Sequence, residues 1–313
     1  MNSKHILVLG GSGFLGRAVI NELLIRGHRV SGIYHKSKLS DGVKGIQGNI
    51  ENFQWALIEK DIPDAIIHLA RIPGKRKLSR YMAGIRGKRA SKRLLKWASA
   101  LKKPPHILYV SGTLVYGNLS GKIATEASPL KPIAFQRDYF KAEIPFLDQI
   151  KYSQIPISIV RPPWIIGAGS WFSQFYYNPA VRSSEITQFG NGKNLMSITH
   201  VDDCASQIVD IAEENTHGEI YNLCSCPPVT HEDFIGIVAR ETGSNIKIME
   251  NDDIRRKYGK TVWEALTFST HVKSTKKIID DRVNQFPAAE QAIKAVIHQL
   301  NAENKSNQTG SNS

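Results

Sequence analysis

Residues 10–16 read Gly10-Gly11-Ser12-Gly13-Phe14-Leu15-Gly16, between the apolar run HILVL at 5–9 and RAVINELL at 17–24. Glycines at 10, 13 and 16 end a strand pattern and open a helical one. In that place they allow a tight turn, let bare backbone approach a ligand and let the helix pack close on the strand. The N–H groups and positive dipole end of the helix suit a pyrophosphate. The stretch predicts a dinucleotide site at the first strand–turn–helix of the chain.

Outward from this turn, strand and helix signals alternate: RVSGIY, a short helical ENFQWALIEK, DAIIHLA, a basic helix, HILYVS, helix RDYFKAEIPFLDQIKY and strand ISIVRPPW. Such alternation predicts an α/β fold, a doubly wound parallel (Rossmann) sheet with helices on both faces. After Ile165 the pattern loosens into an aromatic-rich stretch to Asn194, then VDDCASQIVDIAEE, EIYNLC, HEDFIGIVARETG and a last helix around Ala288 to Gln299. The expected organisation is a dinucleotide-binding domain over residues 1–166, completed by about 197–224. Residues 167–196 and 225–300 form a smaller C-terminal substrate-binding lobe. Residues 301–313, NAENKSNQTGSNS, have almost nothing to bury and are expected to be a disordered tail.

The chain has 313 residues, 41% of them hydrophobic, enough for a sizeable core. No apolar run approaches the ~18 residues of a membrane span, and the start reads as a first strand, not a signal peptide. Three cysteines, Cys204, Cys224 and Cys226, cannot all pair, and a reducing cytoplasmic setting is the simplest expectation. The net charge of +13 is concentrated: between Asp64 and Glu126 there are fourteen Lys and Arg and no acid. On a helical wheel Arg86, Lys88, Arg89, Lys92, Arg93 and Lys96 share one side, and Ala90, Leu94, Trp97 and Ala98 the other. That face is a solvated helix surface or a docking site for an anionic partner. No nucleic-acid-binding motif accompanies it, so nucleic acid is not expected.

The end of the second strand selects the ribose. An NAD site places a carboxylate about 20 residues after the glycines, whereas here stand Tyr34, His35, Lys36 and Lys38. A cation can pair with a 2′-phosphate and an aromatic ring can cover adenine. NADP is therefore expected, with NAD possible.

Together GGSGFLG, Gly48-Asn49, HLAR at 68–71, VSGTLVYG at 110–117, RPPWIIG at 161–167 and SITHVDDCA at 197–205 resemble the extended short-chain dehydrogenase/reductases, the NAD-dependent epimerase/dehydratase group, over roughly residues 4 to 225. The resemblance implies that Gly10, Gly13, Phe14, Leu15 and Gly16 wrap the pyrophosphate, that Asn49 and Ile50 contact adenine, and that Leu69, Ala70 and Arg71 pass the cofactor ribose. It also implies a Ser or Thr before VYG and a Tyr-x-x-x-Lys helix. The tyrosine would be general acid/base, and the lysine would hold the nicotinamide ribose and lower the tyrosine pKa.

Both catalytic elements depart from that pattern. The usual hydroxyl position falls on Gly112, so Ser111 or Thr113 would supply the hydroxyl. Matching the lysine to Lys141, by the Ala-Glu after it, puts Arg137 in the tyrosine's position. Residues at i and i+4 share a helix face, which would point both into the site. Arginine stays protonated and is no general base, though it can polarise a carbonyl. Tyr139, ~200° away from Lys141, is expected to pack elsewhere. His200, Asp202 and Asp203 read as the start of a helix and not as a metal site. Two functions follow: an NADP-dependent oxidoreductase or epimerase-like enzyme acting on a small, anionic or nucleotide-sugar-like substrate, or a non-catalytic NADP-binding regulatory or scaffold protein that uses the basic helix.

Overall fold

The computed structural model describes residues 3–35, 39–74, 76–152, 154–214 and 216–310, the last four by backbone alone. Its centre is a seven-stranded sheet. Strands β1 (His5–Leu9), β2 (Arg29–Tyr34), β3 (Lys44–Gln47), β4 (Ala65–His68), β5 (His106–Val110) and β6 (Ile157–Arg161) are joined by the strand Glu219–Asn222. The order across the sheet is Glu219–Asn222, β6, β5, β4, β1, β2, β3, with every pairing parallel. Sequence order reverses between β1 and β4, which opens a crevice at the carboxyl ends of those strands. The expected doubly wound α/β sheet is what forms.

The period of two along β1 divides the core. Ile6 and Val8 pack with Val19 and Ile20 of α1 (Phe14–Ile25) and with Ile208 of the helix Val201–Glu214. Leu7 and Leu9 face the opposite side, with Leu94 and Trp97 of α2 (Lys77–Ser99). The basic helix thus forms as its wheel predicts, with Ala90, Leu94, Trp97 and Ala98 buried and Arg86, Arg89, Lys92, Arg93 and Lys96 exposed.

The helix expected over RDYFKAEIPFLDQIKY is two helices, α3 (Ala134–Phe140) and α4 (Ile144–Gln149). Pro145 stands in the first turn of α4, where it has no N–H to give to the preceding turn. Between the helices the hydrogen bonds tighten to three-residue spacing, from Ala142 N–H to Tyr139 O (3.0 Å) and Glu143 N–H to Phe140 O (3.0 Å).

The C-terminal lobe has its own core, including Phe172, Tyr176, Phe189, Phe234, Ile293 and Val296. It contains a parallel strand pair, Glu185–Phe189 with Asn245–Met249, and a helix, Asn251–Thr267, that sequence periodicity does not resolve. The expected tail from Asn301 is corrected as well: the last helix runs from Ala289 to Gly310. Its buried face of Ala292, Ile293, Val296, Ile297 and Leu300 starts the helix on the lobe. Propagation costs little once a helix is nucleated, and the Tyr177 hydroxyl, donating to Asn301 Oδ1 (2.6 Å) and accepting from Asn304 Nδ2 (3.0 Å), carries it onward.

Helices α2 and α3 approach closely because α2 offers small residues at the crossing. A Cβ on Gly84 would stand 2.1 Å from Asp138 O. Ser91 Oγ donates to Ala142 O at 2.9 Å. We expect Gly84→Ala to lower stability by roughly 1–3 kcal/mol through overpacking. Gly236→Ala, whose Cβ would meet nothing nearer than 3.9 Å in the helix His231–Thr242, should instead stabilise by about 0.5–1 kcal/mol. Thermal unfolding of the two variants checks the pair.

Candidate active site

The crevice is a cleft of about 380 Å3 along the ends of β1, β4 and β5. Its floor is bare backbone: Gly10 has φ +89°, and a Cβ there would lie 2.9 Å from Ala70 N and Cα. On Gly16 a Cβ would lie 2.1 Å from Gly10 O. Helix α1 starts from Gly13 with no side-chain cap and no acid in its first turn. Its terminal N–H groups are left to an anion. Gly10, Gly13, Phe14, Leu15, Gly16, Ile50, Leu69, Ala70 and Arg71 all line this cleft. An adjoining hollow of about 370 Å3 shares Gly10, Ile50, Ala70 and Arg71 and adds His35, Asn49, Glu51 and Arg86. These residues fit a dinucleotide, with pyrophosphate at the glycine turn and adenosine towards His35.

One expected cofactor residue stands otherwise. Tyr34 lies against Gly45 of the neighbouring strand, where a Cβ would be 3.0 Å from its ring, and lines neither hollow. Lys36 and Lys38 lie outside the described residues. Arg86, which sequence reading placed only on the basic face, reaches the adenosine end and pairs with Glu51 at 3.3 Å.

At the other end of the cleft the two candidate hydroxyls separate. Ser111 lines it, whereas Thr113 is buried in a short 3-10 turn, donating its backbone N–H to Pro162 O (3.0 Å). Ser111 Oγ donates to the Glu143 carboxylate. Glu143 is fully buried and accepts from Arg161 through Nη2 (2.7 Å) and Nε (3.1 Å). Arg161 Nη1 also donates to the Tyr116 hydroxyl (2.9 Å), which donates to Asn222 Oδ1 (2.8 Å). Burial works against the Arg161 charge, but Glu143 and Tyr116 outweigh it, and the pKa is raised.

The helix face that meets the cleft is not the expected one. Within α3, Phe135 and Tyr139 stand one turn apart on one side, their rings 5.6 Å from each other. Arg137 is exposed, and neither it nor Lys141 lines the cleft. Lys141 Nζ sits 3.5 Å from the Tyr81 ring centroid and 3.3 Å from Asp138 Oδ1, on the α2 side. Tyr139, expected to pack elsewhere, lines the cleft beside the buried Gln136. The Arg71 guanidinium lies 4.5 Å from the Tyr139 ring centroid and 5.8 Å from that of Phe135.

His68 and Tyr109 also line the cleft and escaped sequence reading. Their rings meet edge to face at 5.1 Å. Burial lowers the His68 pKa to about 4 and, with Glu143, raises that of Tyr109. Both are neutral near pH 7. Asp203 of the THVDD stretch accepts from the backbone N–H groups of Gln285 (2.8 Å) and Phe286 (3.0 Å), an anchoring role.

The sequence pattern of the NAD dependent epimerase/dehydratase family matches residues 6–224. A UDP-N-acetyl-alpha-D-glucosaminuronate decarboxylase of Bacillus cytotoxicus is 24% identical over 267 residues, covering 79% of this chain and 83% of that protein. Among solved structures, human epimerase family protein SDR39U1 with NADPH superposes with a TM-score of 0.78 at 18% identity, covering 94% of this chain and 99% of that one. The dTDP-glucose 4,6-dehydratase of Bacillus anthracis with NAD gives 0.77 at 18%, covering 96% and 97%.

Removing one partner of a buried ion pair leaves the other uncompensated, so Glu143→Ala is expected to cost about 3–5 kcal/mol. The double change Glu143→Leu with Arg161→Met should cost less than the single one, as urea unfolding of both would measure. For His68, the folded pKa of about 4 lies below the ordinary value of 6.5. The unfolded chain therefore binds the extra proton, and stability is lost as pH falls from 6.5 towards about 4. His68→Phe should flatten this part of the stability profile, measured by urea midpoints across that range.

Proposed function

This chain belongs to the NAD dependent epimerase/dehydratase family, and from that premise we propose that it is an NADPH-dependent reductase of a small carbonyl compound, with Tyr139 as proton donor. The observation that carries this reading is the Tyr139 ring lining the dinucleotide cleft under the guanidinium of Arg71, 4.5 Å from its centroid. NADPH is favoured over NADH by the cation at the adenosine end. Arg86 lines it with His35, and the one carboxylate among its described lining residues, Glu51, is paired with Arg86.

When bound, the dinucleotide supplies the hydride that reaches the carbonyl carbon. Tyr139 gives its hydroxyl proton to the carbonyl oxygen as the charge develops there. Arg71, over the ring face, stabilises the phenolate left behind, the task that a lysine would otherwise perform. Ser111 Oγ, whose proton is directed to Glu143, offers a lone pair to the hydroxyl that forms. Water returns a proton to Tyr139 and completes the cycle. Reduction places less demand on a strong base than alcohol oxidation does, which suits a cleft with no lysine among its described lining residues.

That missing lysine favours one other reading, a protein that binds NADPH without turning it over and presents the exposed cations of α2, among them Arg89, Lys92 and Lys96, to an anionic partner. Steady-state kinetics with NADPH and NADH over a carbonyl panel separates the two. Tyr139→Phe is expected to lower kcat by about 10²–10⁴-fold with NADPH affinity kept. Arg137→Ala, at an exposed residue that does not line the cleft, should stay within about two-fold of the parent. A fully active Tyr139→Phe protein would sink the proton-donor assignment, and tight NADPH binding with no turnover anywhere in the panel would favour the second reading.

A further inference from the structure

Beside the cleft lies a second cavity of about 240 Å3, walled by the rings of Phe135, Trp164, Trp171, Phe175, Tyr176 and Phe268 with aliphatic side chains of the helix Asn251–Thr267. No charged side chain is among its described lining residues. Its polar groups are turned to the protein. The Tyr176 hydroxyl meets His231 Nε2 at 3.0 Å, Thr261 Oγ1 accepts from Arg80 at 3.3 Å, and Asn194 Nδ2 donates to Leu266 O at 3.4 Å. One donor is left over: the buried indole N–H of Trp171 has no partner among the described residues.

The cavity adjoins the chemistry. Phe135 lines the cavity, Tyr139 lines the cleft, and their rings meet at 5.6 Å one helical turn apart. Trp164 lines the cavity while its neighbours Pro162 and Ile165 line the cleft. A nucleoside diphosphate sugar needs cations or converging N–H groups for its phosphates. This cavity offers carbon and π faces instead, which suit a flat apolar body.

We infer that the substrate is an apolar aromatic carbonyl compound of about bicyclic size, whose rings lie in this cavity and whose carbonyl reaches Tyr139. An apolar cavity of roughly 150 Å3 accepts a benzene, so this one has room for two fused rings. The inference rests on the reductase reading and adds the substrate class to it.

The test uses the full chain and two calorimetric titrations, NADPH alone and then 2-acetylnaphthalene on the NADPH-loaded protein, with UDP-glucose as the competing chemistry. The expected result is saturable 2-acetylnaphthalene binding that weakens by at least about ten-fold, or ~1.4 kcal/mol, in Ala265→Trp, which fills the cavity. NADPH affinity should be unchanged. Should Ala265→Trp fail to fold, Thr261→Arg, which brings a charge to the same wall, is expected to give the same loss. NADPH binding with no 2-acetylnaphthalene binding, equal binding in the folded variants, or a preference for UDP-glucose overturns the substrate class while leaving the reductase reading standing. Ring binding without reduction of the ketone by NADPH overturns the inference together with the reductase reading. Loss of NADPH binding by the parent protein points to failure of the reductase reading itself.

Discussion

A fully buried carboxylate, Glu143, faces a fully buried guanidinium, Arg161, at 2.7 Å, and the arrangement of the site follows from their need to meet. Each ion would cost several kcal/mol if left alone in the interior. Such a pair need not add net stability, yet it penalises every packing that separates its members. Through Ser111 it holds the end of β5, through Arg161 the end of β6, and through Tyr116 it reaches Asn222 on the outermost strand. The carboxyl ends of three parallel strands are thereby set relative to one helix.

That helix, α3, is fixed from three sides. Past its end Glu143 turns inward. At its start the nearly buried Glu264 of the lobe accepts the Ala134 N–H at 2.6 Å, a negative charge on a helix N-terminus. On its flank the missing side chain of Gly84 lets α2 touch its backbone. The rotation about its axis that remains puts Phe135, Gln136 and Tyr139 towards the two cavities and leaves Arg137 exposed. Charge sorting agrees: Lys141 finds Asp138 and the Tyr81 ring on the α2 side, while Arg71, from the end of β4, covers the aromatic pair.

Much of the fold was legible because it rests on local rules. The glycine turn, the period of two in HILVL and the wheel of α2 are each decided within a few residues, and the parallel sheet follows from alternation. The lobe was harder, since its strand Glu185–Phe189 pairs with Asn245–Met249, some sixty residues on, and a partly exposed three- to five-residue strand carries a weak pattern. Gly10, Gly16 and Ala70, expected at the cofactor, line the cleft through bare backbone, whereas Tyr34, whose side-chain direction no local pattern gives, lines neither hollow. Aligning Lys141 on its neighbours in sequence put Arg137 and Lys141 towards the cleft, whereas neither lines it and Tyr139 does. Neither the break after Phe140 nor the pairing of Glu143 with Arg161, eighteen residues on, is displayed by a local pattern.

In the proposed geometry Tyr139 and Ser111, and not Arg137 and Lys141, face the reactive end of the dinucleotide, and a crystal structure of the chain with NADPH tests that arrangement. The expected result is the Tyr139 hydroxyl and Ser111 Oγ beside the nicotinamide, with Arg71 over the Tyr139 ring and Arg137 in solvent. A hydrogen bond from Lys141 Nζ to the nicotinamide ribose, with Tyr139 turned away from the cleft, would contradict it.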